Sequence, residues 1–147
     1  MKTILNWQEG MSFEAECGAN KIVTDAKSPL GKEQGMTPKE LVAVGLGGCT
    51  AMDVVALLKK HKQTYESLQV EVDVTQTTGV HPAVFQEAKI TFYVKGAVDP
   101  QVLLEAVKLS QTKYCGVSAM LAQSFPISYI VYNNGEEIGS GSANFHQ

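Results

Sequence analysis

The sequence predicts an α+β fold, and three observations carry that prediction. Strand-like segments come in runs separated by helices, without the regular βαβ alternation of a parallel α/β protein. Residues 66–78 and 84–95 alternate apolar and polar side chains with the period of two that marks half-buried strands. Residues 37–62, TPKELVAVGLGGCTAMDVVALLKKHK, read as one long apolar helix around which the rest is arranged. A chain of 147 residues is expected to form a single domain over 1–147 with a proper hydrophobic core.

Taken in order, residues 2–8 and 11–17 are predicted as short strands around a turn at Glu9-Gly10, with a third strand over 20–25 after Gly18. Phe13, Ala15 and Cys17 alternate with Ser12, Glu14 and Glu16, which assigns Cys17 a structural role on the covered face. Residues 26–36 have the glycine, proline and polar content of a loop. The long helix then opens with Thr37 as N-cap, Pro38 at the first helical position and Glu40 where a capping-box carboxylate reaches back. Lys59, Lys60 and Lys62 place cations at its C-terminal end, where the helix dipole favours them.

From Leu41 to Leu58 only Thr50 and Asp53 carry polar side chains. A helix so apolar on all sides is buried in a core or crosses a membrane. Asp53 at its middle, three glycines, and the lack of a second spanning segment favour the core. One sheet covers only one side of such a helix, so a second copy of the chain is expected to cover the other, as a homodimer.

Beyond the helix, Leu68, Val70, Val72 and Val74 on one strand and Ile90, Phe92 and Val94 on the next predict a long antiparallel hairpin. Asp99-Pro100 opens a helix over about 100–113, a break falls near Tyr114-Cys115-Gly116, and a short helix follows at about 117–123. Residues 127–132 form a strand, Asn133-Asn134-Gly135 a tight turn, and a weak strand lies beyond it. The glycine- and serine-rich tail from Gly139 reads as loose.

Composition narrows the function. With 44% hydrophobic and 18% charged residues the chain is ordinary for a globular protein. A net charge of −3 and the absence of a basic stripe argue against a nucleic-acid partner. The N-terminal MKTILNWQEG has no apolar segment of the signal-peptide kind, so the expected compartment is the cytoplasm and the three cysteines are expected to be thiols. All 12 basic residues are lysines; the chain has no arginine.

Cys49 is the first candidate for chemistry, against the plain alternative of a small buried residue in a core helix. Gly45, Gly47 and Gly48 beside it each cost about 1 kcal/mol in a helix interior relative to alanine, which calls for a close approach by another backbone or a ligand. Asp53 lies one turn on, near the sulfur, and would disfavour a thiolate unless a cation intervenes; alone, it could equally be a hydrogen-bonded core residue. Cys115 is the second candidate: at a helix break, the N–H groups of the next turn can stabilise a thiolate, although it too could be a small buried residue.

Glu40 is either a cap or a site residue. Nine residues separate it from Cys49, half a turn out of phase and about 13.5 Å along a continuous helix. To share a site, Glu40 must come from the other subunit or the glycines must break the helix. His61, His81 and His146 have no metal-like spacing and no C-x-x-C occurs, so no metal site is expected. Nucleotide-binding and serine-hydrolase fingerprints are also missing.

Residues 37–55, TPKELVAVGLGGCTAMDVV, followed by LSQTKYCGVSAML at 109–121, resemble the OsmC/Ohr family of osmotically inducible and organic-hydroperoxide-resistance proteins. The resemblance extends over nearly the whole chain, with a G-G-C-T-A-M-D form that points to a distinct branch. It implies an intertwined homodimer with antiparallel sheets around a long central helix and two sites at the subunit interface. It further implies a thiol peroxidase for organic hydroperoxides in which Cys49 is the peroxidatic thiolate, Cys115 resolves its sulfenic acid to a disulfide, and Glu40 helps hold the constellation. A dithiol reductant, a dihydrolipoyl protein or thioredoxin, would restore the thiols, with no metal or organic cofactor. Members of this family use an arginine to stabilise the thiolate, which this chain lacks; a lysine from 21–32 could supply charge but not the bidentate fork. The alternatives are a related thiol chemistry on a disulfide or thioester, or a binding protein that keeps the fold without fast peroxidase activity.

Overall fold

The computed structural model describes residues 1–146. The chain forms two compact units, Met1–Val42 and a second beginning at Ala43.

In the first unit, β1 (Ile4–Glu9), β2 (Ser12–Cys17) and β3 (Asn20–Thr24) form an antiparallel sheet in that order. The turns sit at Gly10 and Gly18, whose φ of 53° and 58° are conformations glycine adopts without strain. Cys17 pairs with Asn20 beside the second turn and is exposed. It has no covered face to pack into, because the strand ends there. The loop over 26–36 is organised by Asp25, whose carboxylate accepts hydrogen bonds from the N–H groups of Ala26, Lys32 and Gln34 at 2.7, 3.2 and 3.1 Å. Those bonds, with Gln34 foremost, hold the Asp25 carboxyl below its usual range.

The helix α1 (Pro38–Lys60) begins as its sequence predicts. The Glu40 N–H donates to Thr37 Oγ1 at 3.3 Å, and the Thr37 N–H donates back to the Glu40 carboxylate at 2.8 Å. This is a complete capping box.

In the second unit, α1 buries a single stripe, Leu46, Gly47, Thr50, Val54 and Leu58. Val44, Met52 and Val55 stay exposed, so within one chain the helix is covered on one side only. By length and composition α1 could cross a membrane; its stripe instead joins the core of its own unit, with Ile90, Phe92, Val94, Leu103, Val107 and Val131. Gly47 permits the closest part of that packing, since a Cβ there would lie 2.9 Å from Val72 Cγ2.

The second sheet runs β4 (Ser67–Gln76), β5 (Phe85–Lys95), β6 (Ile127–Asn133) and β7 (Glu136–Ser142), in that spatial order. The β4–β5 hairpin is antiparallel from Ser67↔Lys95 to Gln76↔Phe85. The β5–β6 pair is parallel, a correction to the all-antiparallel expectation. Its cause is the helical crossover between them, which returns the chain to the end of the sheet where β5 began. That crossover comprises α2 (Pro100–Leu109), a π-helical turn (Ser110–Tyr114) and α3 (Gly116–Leu121). Asp99 caps α2 by accepting from the N–H groups of Gln101 and Val102, with Pro100 next in line.

The tail from Gly139 also departs from expectation, because β7 pairs with β6 as far as Ser142. Its glycines make room for large neighbours. A Cβ at Gly139 would meet the Leu104 side chain at 2.7 Å, and one at Gly141 would meet the Tyr129 hydroxyl at 2.5 Å.

Candidate functional site

The site lies within the second unit, where the middle of α1 meets the π-helical turn and the start of α3. Cys49 sits on α1 at the edge of the buried stripe and is half-buried. Asp53 follows one turn later on the same face. Cys115 arrives from the other side. The π-helical turn ends with the Cys115 N–H donating to the Ser110 carbonyl at 2.9 Å, after which Cys115 turns extended and caps α3. Its Sγ accepts a hydrogen bond from the Ser118 N–H at 3.3 Å. The result brings two residues 66 positions apart into one cluster: the Cys49 and Cys115 sulfurs and an Asp53 carboxylate oxygen all lie within 4.8 Å of one another.

The two thiols occupy different surroundings. Cys115 is fully buried, and burial pushes its thiol up to about 11. The Ser118 hydroxyl and N–H pull the other way, and Cys49 adds a further upward push. Cys49 keeps access to the surface. The pair thus divides into one accessible sulfur and one protonated, sequestered sulfur.

Behind Asp53 runs a chain of buried polar groups. Ser110 Oγ donates to Asp53 Oδ2 at 2.9 Å, Thr50 Oγ1 lies 2.8 Å from Ser110 Oγ, and Gln111 Nε2 donates to Thr50 Oγ1 at 2.9 Å. The direction of the middle bond follows from counting hydrogens. Ser110 spends its only hydroxyl hydrogen on the carboxylate, so Thr50 must donate to Ser110. Every hydrogen in the relay therefore points toward Asp53. Thr50, Ser110 and Gln111 are all buried, and such groups are stable inside a protein only when paired. Among the described residues, Gln111 Oε1 has no partner.

Glu40, the third residue singled out in the sequence, has other engagements. Its carboxylate takes the Thr37 N–H and a Lys27 ion pair of 3.0 Å, and these two partners lower its carboxyl, Thr37 first. The helix runs unbroken through Gly45, Gly47 and Gly48, so the route to a shared site through a broken helix is closed. The sequence alone marks Thr50 only as one of two polar side chains in the apolar helix and gives Ser110 and Gln111 no role. The available signal was the polar Ser110-Gln111-Thr112 run directly after the amphipathic α2 helix; it falls in a π-helical turn, a feature that frequently marks a functional site.

An open groove of about 430 Å³ runs between α1 and β4, lined by Ala43, Val44, Gly47, Gly48 and Ala51 of α1 and by Leu68, Val70 and Val72 of β4; Cys49 is not among its lining residues and, by helical spacing, faces the other side of α1. The groove is apolar, of the kind that holds the body of a hydrophobic ligand.

The family model of OsmC-like proteins matches residues 31–130, which include Glu40, Cys49, Asp53 and Cys115. The chain belongs to the OsmC-like family. Protein YhfA of Escherichia coli K12 is 30% identical over 131 residues, covering 88% of this chain and 95% of that one. A protein of Aquifex aeolicus VF5, described as hypothetical, has the same fold at a TM-score of 0.80 and 25% identity, over 99% of this chain and 97% of its own. The organic hydroperoxide resistance protein OhrB of Bacillus subtilis matches at a TM-score of 0.64 and 12% identity, over 89% and 96% of the two chains. At that identity the likeness to OhrB is one of fold.

Proposed function

We propose that this chain is a single-domain, cytoplasmic, homodimeric thiol peroxidase that reduces organic hydroperoxides through Cys49 and Cys115. The observation that carries this reading is the approach of the two sulfurs within 4.8 Å, one accessible and one buried. The Cys49 thiolate attacks the terminal oxygen of the hydroperoxide, the O–O bond breaks, and the alkoxide leaves as the alcohol after taking a proton. The Cys115 sulfur then attacks the Cys49 sulfenic acid, expelling water and forming the disulfide. Its bond length of about 2.05 Å requires the two sulfurs to close the remaining gap. An external dithiol, a dihydrolipoyl protein or thioredoxin, takes the disulfide back to two thiols by exchange.

In the dimer, Glu40 of the partner subunit completes the site, and the partner covers the exposed apolar face of α1. Gly45 and Gly48 support that arrangement: a Cβ at either would meet nothing within 4 Å in one chain, so close packing inside the subunit does not explain them.

One observation favours a second reading. Without arginine, no guanidinium stabilises the Cys49 thiolate; on this second reading the chain is an OsmC-fold protein that binds small molecules or performs other thiol chemistry, without fast peroxidase activity. Turnover of cumene hydroperoxide with a dithiol reductant separates the two. Turnover that exceeds that with hydrogen peroxide and vanishes in Cys49→Ser supports the peroxidase. Slow consumption unchanged by the substitution supports the second reading.

A further inference from the structure

The arrangement of Cys49, Asp53 and Cys115 gathers three metal-ligating side chains in one place. Two sulfurs and a carboxylate oxygen converge within 4.8 Å, and no ion pair among the described residues involves Asp53. The chain has no arginine to supply a compensating guanidinium. We propose that Cys49, Asp53 and Cys115 form a binding site for a thiophilic divalent cation, Zn²⁺ in type, with two thiolates and one carboxylate as its protein ligands.

The donor set fits such an ion. Thiolate, imidazole and carboxylate are the ordinary ligands of Zn²⁺, at about 2.3 Å for sulfur and about 2.0–2.2 Å for oxygen. Tetrahedral placement at those lengths sets neighbouring ligand atoms roughly 3.5–3.8 Å apart. Atoms already within 4.8 Å reach that spacing by small side-chain movements. Two sulfurs bias the site toward Zn²⁺ over the harder Mg²⁺ and Ca²⁺. Three protein ligands leave a fourth position for water or a small anion, and the half-exposure of Cys49 gives a path to it.

The surrounding residues supply a second argument. Ligating carboxylates in metal sites are themselves hydrogen-bonded by outer residues that fix their orientation. Here the Gln111–Thr50–Ser110 relay, built from three buried side chains on two elements, ends on one oxygen of Asp53. The Ser118 N–H does the same for the Cys115 sulfur. A polar network this long costs desolvation at every member, and orienting a ligand gives it a purpose. The proposal uses the same cysteines as the peroxidase reading but needs no turnover.

The test is titration of the reduced full-length protein, freed of metal, with Co²⁺ followed by Zn²⁺. The expected result is one Co²⁺ per chain, with sulfur-to-cobalt charge-transfer absorption, the visible bands of four-coordinate cobalt, and displacement by Zn²⁺. Asp53→Asn, of nearly the same shape, should weaken binding at least ~10-fold, and Ser110→Ala about 10-fold. Cys49→Ser and Cys115→Ser should each diminish the charge-transfer band, with circular dichroism confirming that each variant is folded. Absence of the band in the wild type overturns the proposal. So does the same spectrum in the folded Cys49→Ser/Cys115→Ser double variant, or undiminished affinity in Asp53→Asn. Since no peroxide enters the assay, these outcomes are independent of the peroxidase measurement.

Discussion

The helix α1 carries two carboxylates, and their settings differ in kind. Glu40 is met within its own chain by partners close in sequence, the Thr37 N–H of the capping box three residues away and Lys27 of the preceding loop thirteen residues away. Asp53 is met by Ser110, 57 positions on, backed by Thr50 and Gln111, and faces two thiols. The first carboxylate belongs to secondary structure. The second requires tertiary structure, and nothing about stability alone asks for it. A hydrophobic residue at 53 would extend the apolar helix without any buried polar relay, and this contrast supports the site proposed at the middle of α1.

The largest effect in breaking that contrast is expected at the thiol. Cys49→Ser should reduce hydroperoxide turnover to the uncatalysed level, whereas Glu40→Gln in the same assay reports whether the capping carboxylate also serves the site. Next comes pH. Because burial holds the Cys115 thiol at about 11, closure of the disulfide in metal-free, peroxide-treated protein should quicken about 10-fold per pH unit from 7 to 9, as the thiolate fraction rises. Rapid-quench mass analysis measures it, and a flat profile would show another group taking the proton. The same raised value has a consequence for stability with a definite sign. The folded chain holds the Cys115 proton to higher pH than the unfolded chain, so its contribution is intact below about 9 and lost as pH climbs toward 11.

Smaller effects sharpen the comparison. Ser110→Ala should cost about 1–3 kcal/mol in chemical denaturation, since it strips a donor from Asp53 and an acceptor from the buried Thr50 hydroxyl. Thr37→Ala should cost about 1 kcal/mol through the lost cap and leave thiol chemistry unchanged. Alanine at Gly47, whose Cβ would press on Val72, should destabilise relative to alanine at Gly48, which has open space within the chain. Differential scanning calorimetry on the two variants checks the order, and at Gly48 dimer dissociation measured by sedimentation tests whether a partner fills that space.

Local signals were legible in the sequence. The capping box at Thr37 and Glu40, the Asp99-Pro100 helix start and the 68–74 alternation depend on neighbours within a few residues, and each appears in the structure. The break at Cys115 was visible too, because Gly116 follows it. The parallel β5–β6 pairing was not legible, since pairing direction is decided by where a crossover lands rather than by any strand's own pattern. Gly139 and Gly141 misled for a related reason: glycine reads as looseness in sequence, while here it admits Leu104 and Tyr129. At the site, Asp53 could be placed near Cys49 by helical spacing alone. Its partners Ser110 and Gln111 lay far along the chain, and without them the carboxylate looked equally like a core residue.

The central claim is that Cys49 and Cys115 work as one redox pair. It is tested most directly by treating the reduced protein with one equivalent of cumene hydroperoxide and mapping its peptides by mass spectrometry. The account predicts a Cys49–Cys115 disulfide within each chain, with Cys17 left as a thiol. Oxidation of Cys49 to sulfinic or sulfonic acid with Cys115 still free would contradict it.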